Sequence, residues 1–197
     1  MSKNKTTHLI AILDRSGSMQ GQEQEVIGNF NYFLKEQQAV PGKAKLTLVL
    51  FDGMVETVID QVNLKDVEPL TSDVYYTRGA TAMNDAIGMT VSKLKSKKNA
   101  IVLIHTDGYE NASKEYNASS VKALVDQQKK KWEFIFAGAD IDAATISKNM
   151  GINRSVQVTN DRAGLADTYS NFVSCSTAYR TSVMDSKLDV SDKKTAI

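Results

Sequence analysis

Short runs dominated by Leu, Ile and Val recur along the chain at residues 8–13, 45–51, 100–105 and 133–137, with a weaker one at 155–158. Several are apolar at successive positions, the pattern of a strand buried on both faces of a parallel sheet. Between them lie stripes of apolar residues at intervals of three and four. Met83, Ala86, Ile87, Thr90, Val91 and Leu94 form the clearest, and Val26, Ile27, Phe30, Phe33 and Leu34 form a second. Val121, Leu124 and Val125 mark a third, and a long stretch over residues 165–183 carries Tyr169, Phe172 and Val173 on one side; each predicts an amphipathic helix. At Asp52-Gly53 two strand-like runs, 45–51 and 54–59, meet across a two-residue link of the kind that closes a hairpin. The pattern predicts an α/β fold: a doubly wound, mostly parallel sheet with one antiparallel edge strand and helices on both faces, Rossmann-like in layout.

A chain of 197 residues suits one domain that buries roughly 70% of its unfolded surface. The expected division is an N-terminal tail at 1–5, one domain at 6–185 and a polar C-terminal tail at 186–197. Lys plus Arg (24) balance Asp plus Glu (23), so no overall field draws the protein to nucleic acid or to an anionic membrane. Partners must be recognised locally. Cys175 is alone, with no CxxC or Cys/His cluster, which fits a reducing compartment. No signal-peptide pattern or membrane-length apolar run is present, and the expected location is the cytoplasm.

In a sheet of this kind ligands bind beyond the carboxyl ends of the strands, and three polar stretches should meet there. Asp14, Ser16 and Ser18 follow the first strand, Thr81 sits in RGATAMNDAI ahead of the clearest helix, and Asp107 follows the later strand in IVLIHTDGYEN. All five side chains offer oxygen, the ligand set of a hard cation such as Mg²⁺ or Mn²⁺ rather than of zinc or copper. Alternation lets residues 14, 16 and 18 point one way while Arg15 points elsewhere, and Gly17 supplies the bend.

D-x-S-x-S after a buried strand, G-x-T before a helix and T-D-G after a later strand together resemble the von Willebrand factor type A (vWA) domain and its metal-ion-dependent adhesion site. The resemblance spans roughly residues 6–185 and is to the stand-alone intracellular type. It implies that Ser16 and Ser18 coordinate the metal through hydroxyls and that Thr81 coordinates when a ligand is engaged. Asp14 and Asp107 would act largely through water or as close acidic supports. The implied function is a metal-dependent protein-interaction module that grips an Asp or Glu of a partner protein, such as a separate AAA+ ATPase.

Two other readings compete. A Mg²⁺-dependent phosphoryl-transfer enzyme of the haloacid dehalogenase type would use Asp14 as nucleophile, but the second carboxylate it needs two residues on is Ser16. Neither histidine falls at a predicted loop edge beside a nucleophile, so no enzyme is expected. A metal-free scaffold would leave five oxygen ligands without purpose. Read singly, Asp14, Thr81 and Asp107 are ordinary caps or turn residues. Arg15 reads as a solvated loop arginine or one that steers an acidic partner, and Asp85 as the polar side of its helix. Asp140 and Asp142 read as charge at a helix N-terminus, Lys129–Lys131 as cations at a helix C-terminus, and His8 and His105 as core or edge residues.

Overall fold

The computed structural model describes residues 5–159 and 161–185. Apart from Lys5, the two expected tails lie outside the described residues. Six strands form one sheet in the order β3-β2-β1-β4-β5-β6: β1 (Thr7–Asp14), β2 (Ala44–Phe51), β3 (Val55–Asn63), β4 (Ala100–Thr106), β5 (Trp132–Ala139) and β6 (Arg154–Val158). All neighbours pair in parallel except β2 and β3. The helices are α1 (Glu23–Ala39), α2 (Met83–Leu94), α3 (Ala118–Gln128), α4 (Ala143–Asn149) and α5 (Arg162–Met184). The periodicity anticipates all of these but α4, whose seven residues are too few to develop a stripe. Its first turn is capped by Asp142, which accepts from the Thr145 amide at 3.0 Å.

Every residue of β1 is buried, and the period-two pleat sorts them. Leu9, Ala11 and Leu13 face α1 and α5, where Phe33 stacks on Phe172 at 4.6 Å. Ile10 and Ile12 face α2, α3 and α4. His8 and His105 lie in these strands, and burial, with Lys97 and Lys45 nearby in the case of His8, holds both imidazoles at about 4 and therefore neutral at pH 7.

The antiparallel course of β3 creates a problem of return. It leaves the chain at the amino edge of the sheet, whereas the start of α2 lies at the carboxyl edge. Residues 64–82 climb back across the α1 face, with Leu64, Val67, Leu70 and Tyr75 joining that core. The Asn31 side chain clamps the strap, accepting from the Leu70 amide at 2.7 Å and donating to its carbonyl at 2.9 Å. Gln38 donates to the Leu64 and Val67 carbonyls. The strap then crosses the sheet edge and delivers Thr81 between the ends of β1 and β4.

Asp85, expected on the polar side of its helix, is instead buried. Its carboxylate accepts the backbone amides of Lys114, Glu115 and Tyr116 at 2.7–2.9 Å, tying the β4–α3 connection to α2. Asp85→Ala leaves three partly buried amides unpaired and should cost about 2–4 kcal/mol, read as a lower urea midpoint with an unchanged slope.

Candidate metal centre

The sheet reverses its winding between β1 and β4, and at that crevice β1 ends in Asp14. Its Oδ1 accepts the Ser16 amide at 2.6 Å and its Oδ2 accepts the Thr106 hydroxyl at 2.5 Å. The chain then turns through a single 3-10 turn, Gly17–Met19. Ser16 Oγ and Ser18 Oγ come 3.1 Å apart, and the Ser18 hydroxyl donates to Asp107 Oδ1 at 2.5 Å. Gly17 makes a close approach: its amide donates to the Gly79 carbonyl at 3.1 Å, and a Cβ there would stand 3.3 Å from the same oxygen, a tight contact.

Thr81 is placed by its backbone. Its amide donates to Asn111 Oδ1 at 2.8 Å, and its carbonyl accepts the amides of Asn111 and Ala112. A Cβ on Gly108 would lie 3.1 Å from Thr81 Oγ1 and 3.2 Å from Ser18 Oγ. The two hydroxyls therefore converge on a space that any side chain at 108 would enter. Glu110 binds the same connection to α2, accepting the amides of Asn84, Ala112 and Ser113. Asp14, Ser16, Ser18 and Asp107 are thus linked by hydrogen bonds, and Thr81 faces Ser18 across Gly108.

Asp14 is fully buried and Asp107 nearly so. Burial pushes the Asp14 carboxyl up to about 6, and the Asp107 charge adds to the rise; the bonds from Thr106 and Ser16 oppose it. Among the described residues no guanidinium or ammonium bonds to Asp14. Two carboxylates and three hydroxyls without nitrogen or sulfur fit a hard divalent cation. Among the described residues no three His, Cys, Asp or Glu side chains cluster, so any such site is rich in hydroxyls.

Arg15 overturns its expected place in solvent. It is 1% exposed; Nε donates to Asp52 Oδ2 at 2.8 Å and Nη2 to Glu56 Oε2 at 2.6 Å. Asp52 also takes Arg78 Nε on the same oxygen at 2.8 Å, and its carbonyl accepts the Ala82 amide. The hairpin link, which spans three residues rather than two, therefore braces both the Ser16 loop and the Thr81 loop. Tyr75 donates its hydroxyl to the Asp14 carbonyl at 2.5 Å, and Gln22 reaches Asp107 Oδ2 at 3.4 Å. Sequence reasoning missed these supports. Thr106, adjacent to Asp107, carried the one available signal. Tyr109 and Asp140 lie exposed on the same edge.

The family model described as "VWA domain containing CoxE-like protein" matches residues 1–131. Solved structures share the fold. The ArnB paralog VWA2 from Sulfolobus acidocaldarius is 19% identical with a TM-score of 0.63, over 86% of this chain and 45% of that one. The PilB minor pilin from Streptococcus sanguinis is 11% identical with a TM-score of 0.69, over 90% and 62%. Proximal thread matrix protein 1 from the mussel byssus, in a structure titled as having a zinc-occupied MIDAS motif, is 17% identical with a TM-score of 0.59, over 87% and 48%. The chain spans about half the length of the Sulfolobus and mussel proteins. Among curated protein sequences none matches it.

The raised Asp14 pKa sets a sign for pH dependence. Between about 4 and about 6 the folded protein keeps a proton on Asp14 that the unfolded chain has released, so this group lowers stability as pH rises through that window. Urea unfolding of metal-free protein should show that decline, and Asp14→Asn should flatten it.

Proposed function

Because the chain belongs to the family of VWA domain containing CoxE-like proteins, we propose that it is a metal-dependent protein-interaction module. Domains of this class are commonly interaction modules, and the proposal assigns the contact to a divalent cation, Mg²⁺ or Mn²⁺, held by Asp14, Ser16, Ser18, Thr81 and Asp107. The observation that carries it is the convergence of two carboxylates and three hydroxyls from three segments with, among the described residues, no cationic side chain bonded to Asp14. A bound cation would supply an electrophilic centre open to one outside carboxylate. The zinc reported for the mussel protein supports metal binding in this fold and makes Zn²⁺ a third cation to test.

The residues divide the work. Asp14 and Asp107 supply negative charge, and the hydroxyls of Ser16, Ser18 and Thr81 present neutral oxygens that leave the charge incompletely cancelled. The proposed partner is a protein that offers an Asp or Glu, a separate AAA+ ATPase being one such assembly. Catalysis is not part of the proposal: both Asp14 oxygens accept hydrogen bonds and the side chain is sealed from solvent, a poor posture for a nucleophile. Among the described residues no helix is long and apolar enough to cross a membrane, and a cytoplasmic setting is proposed from the lone cysteine.

Calorimetry should detect one Mg²⁺ or Mn²⁺ per chain, and Asp14→Ala should abolish it. The melting temperature should rise with the logarithm of metal concentration above the dissociation constant. A fully retained metal response in an Asp14→Ala, Ser16→Ala double variant would show that the site is elsewhere. Partner capture should be lost in EDTA, and Thr81→Ala should weaken capture more than metal binding.

A further inference from the structure

Beside the Ser16 loop the strap presents an arginine that is anchored at one end and open at the other. Arg78 Nε is held by buried Asp52, and Nη1 donates to the Tyr76 hydroxyl at 3.1 Å. Two guanidiniums approach the Tyr76 ring, with the Arg78 Cζ 5.3 Å and the Arg15 Cζ 5.5 Å from its centroid. Thr77, between Tyr76 and Arg78, donates to Glu23 Oε1 at 2.7 Å and fixes the segment to α1. Arg78 Nη2 has no hydrogen-bond partner among the described residues, and its side chain is 38% exposed. The guanidinium is therefore held on its inner side, and its outward edge makes no hydrogen bond among the described residues.

The backbone that carries Arg78 runs beside the candidate metal centre. The Arg78 amide donates to the Arg15 carbonyl at 2.9 Å, and the next carbonyl, of Gly79, accepts the amide of Gly17, which separates Ser16 from Ser18. Met54 and Tyr76, both well exposed, provide an apolar lip: Gly53 touches the 79–80 segment, which brings the hairpin tip against the strap. Arg15 is excluded from this role because its side chain is only 1% exposed.

We propose that Arg78 is a second anchor of the binding site, holding a second carboxylate of an acidic partner segment whose first carboxylate goes to the metal. This rests on the metal-dependent reading above. A planar fork matches a carboxylate in a way that a lysine or a neutral donor does not, and prior anchoring at Nε and Nη1 reduces the ordering cost of the contact. Consecutive residues of an extended segment advance about 3.3 Å; because the Arg78 backbone adjoins the Ser16 loop, the proposal places both acids in one short stretch, with apolar side chains between them meeting Met54 and Tyr76. The partner class is an acidic peptide segment with two carboxylates a few residues apart, rather than a lone acidic side chain on a flat surface.

Fluorescent Gly/Ser peptides that carry one Asp, or that Asp with a Glu placed at each of several nearby positions, test this by anisotropy in Mg²⁺ and in EDTA. The readout is the ratio of two-acid to one-acid affinity within the same protein, which cancels any general loosening of the loops. In the parent, the best spacing should gain on the order of fivefold in Mg²⁺. Arg78→Gln should bring the ratio to about one, and Arg78→Lys should retain only part of the gain, because charge remains but the fork is lost. A ratio that persists in Arg78→Gln, or no gain at any spacing in the parent, would overturn the second anchor while leaving the metal reading intact. One-Asp binding that is indifferent to EDTA would overturn the metal reading and the anchor together.

Discussion

The central constraint is a buried carboxylate at the end of the middle strand. Asp14 is sealed from solvent, hydrogen-bonded by the Ser16 amide and the Thr106 hydroxyl, and close enough to Asp107 for the two charges to disfavour one another. A buried charge without a counter-charge is costly, and here it persists because the sheet, the Ser16 turn and the β4 end leave the side chain no alternative place. Strain of this electrostatic kind is what a cation would relieve. The surrounding glycines serve the same spot, since a Cβ on Gly108 would enter the space between the Thr81 and Ser18 hydroxyls.

The antiparallel edge strand shapes the site from a distance. Were β3 parallel, the chain would reach the carboxyl edge directly; instead it returns over the α1 face through a strap pinned by Asn31, Gln38 and Tyr75. The strap supplies Thr81 and Arg78. The hairpin tip supplies Asp52, which gathers Arg15 and Arg78 on one oxygen. Two loops distant in sequence are thereby held in register by one carboxylate, and the arginine inside the D-x-S-x-S stretch becomes a foundation rather than a lure for partners.

The sequence by itself determined the layers, the helices with long apolar stripes and the hairpin, and it named five oxygen-bearing candidates for one site. Strands buried on both faces and helices buried on one leave a periodicity in composition, and short-range alternation puts Ser16 and Ser18 on one side. The tertiary structure decided what depends on pairs distant in the chain. Arg15 is buried because Asp52 and Glu56, 37 and 41 residues on, reach it, and Asp85 serves amides 29 to 31 residues away. Helix α4 is too short for its period to show. Thr106, Tyr75 and the outward edge of Arg78 gain their roles only through the strap and the β1–β4 register, because hydrogen bonds between remote segments leave no spacing rule in the sequence that makes them.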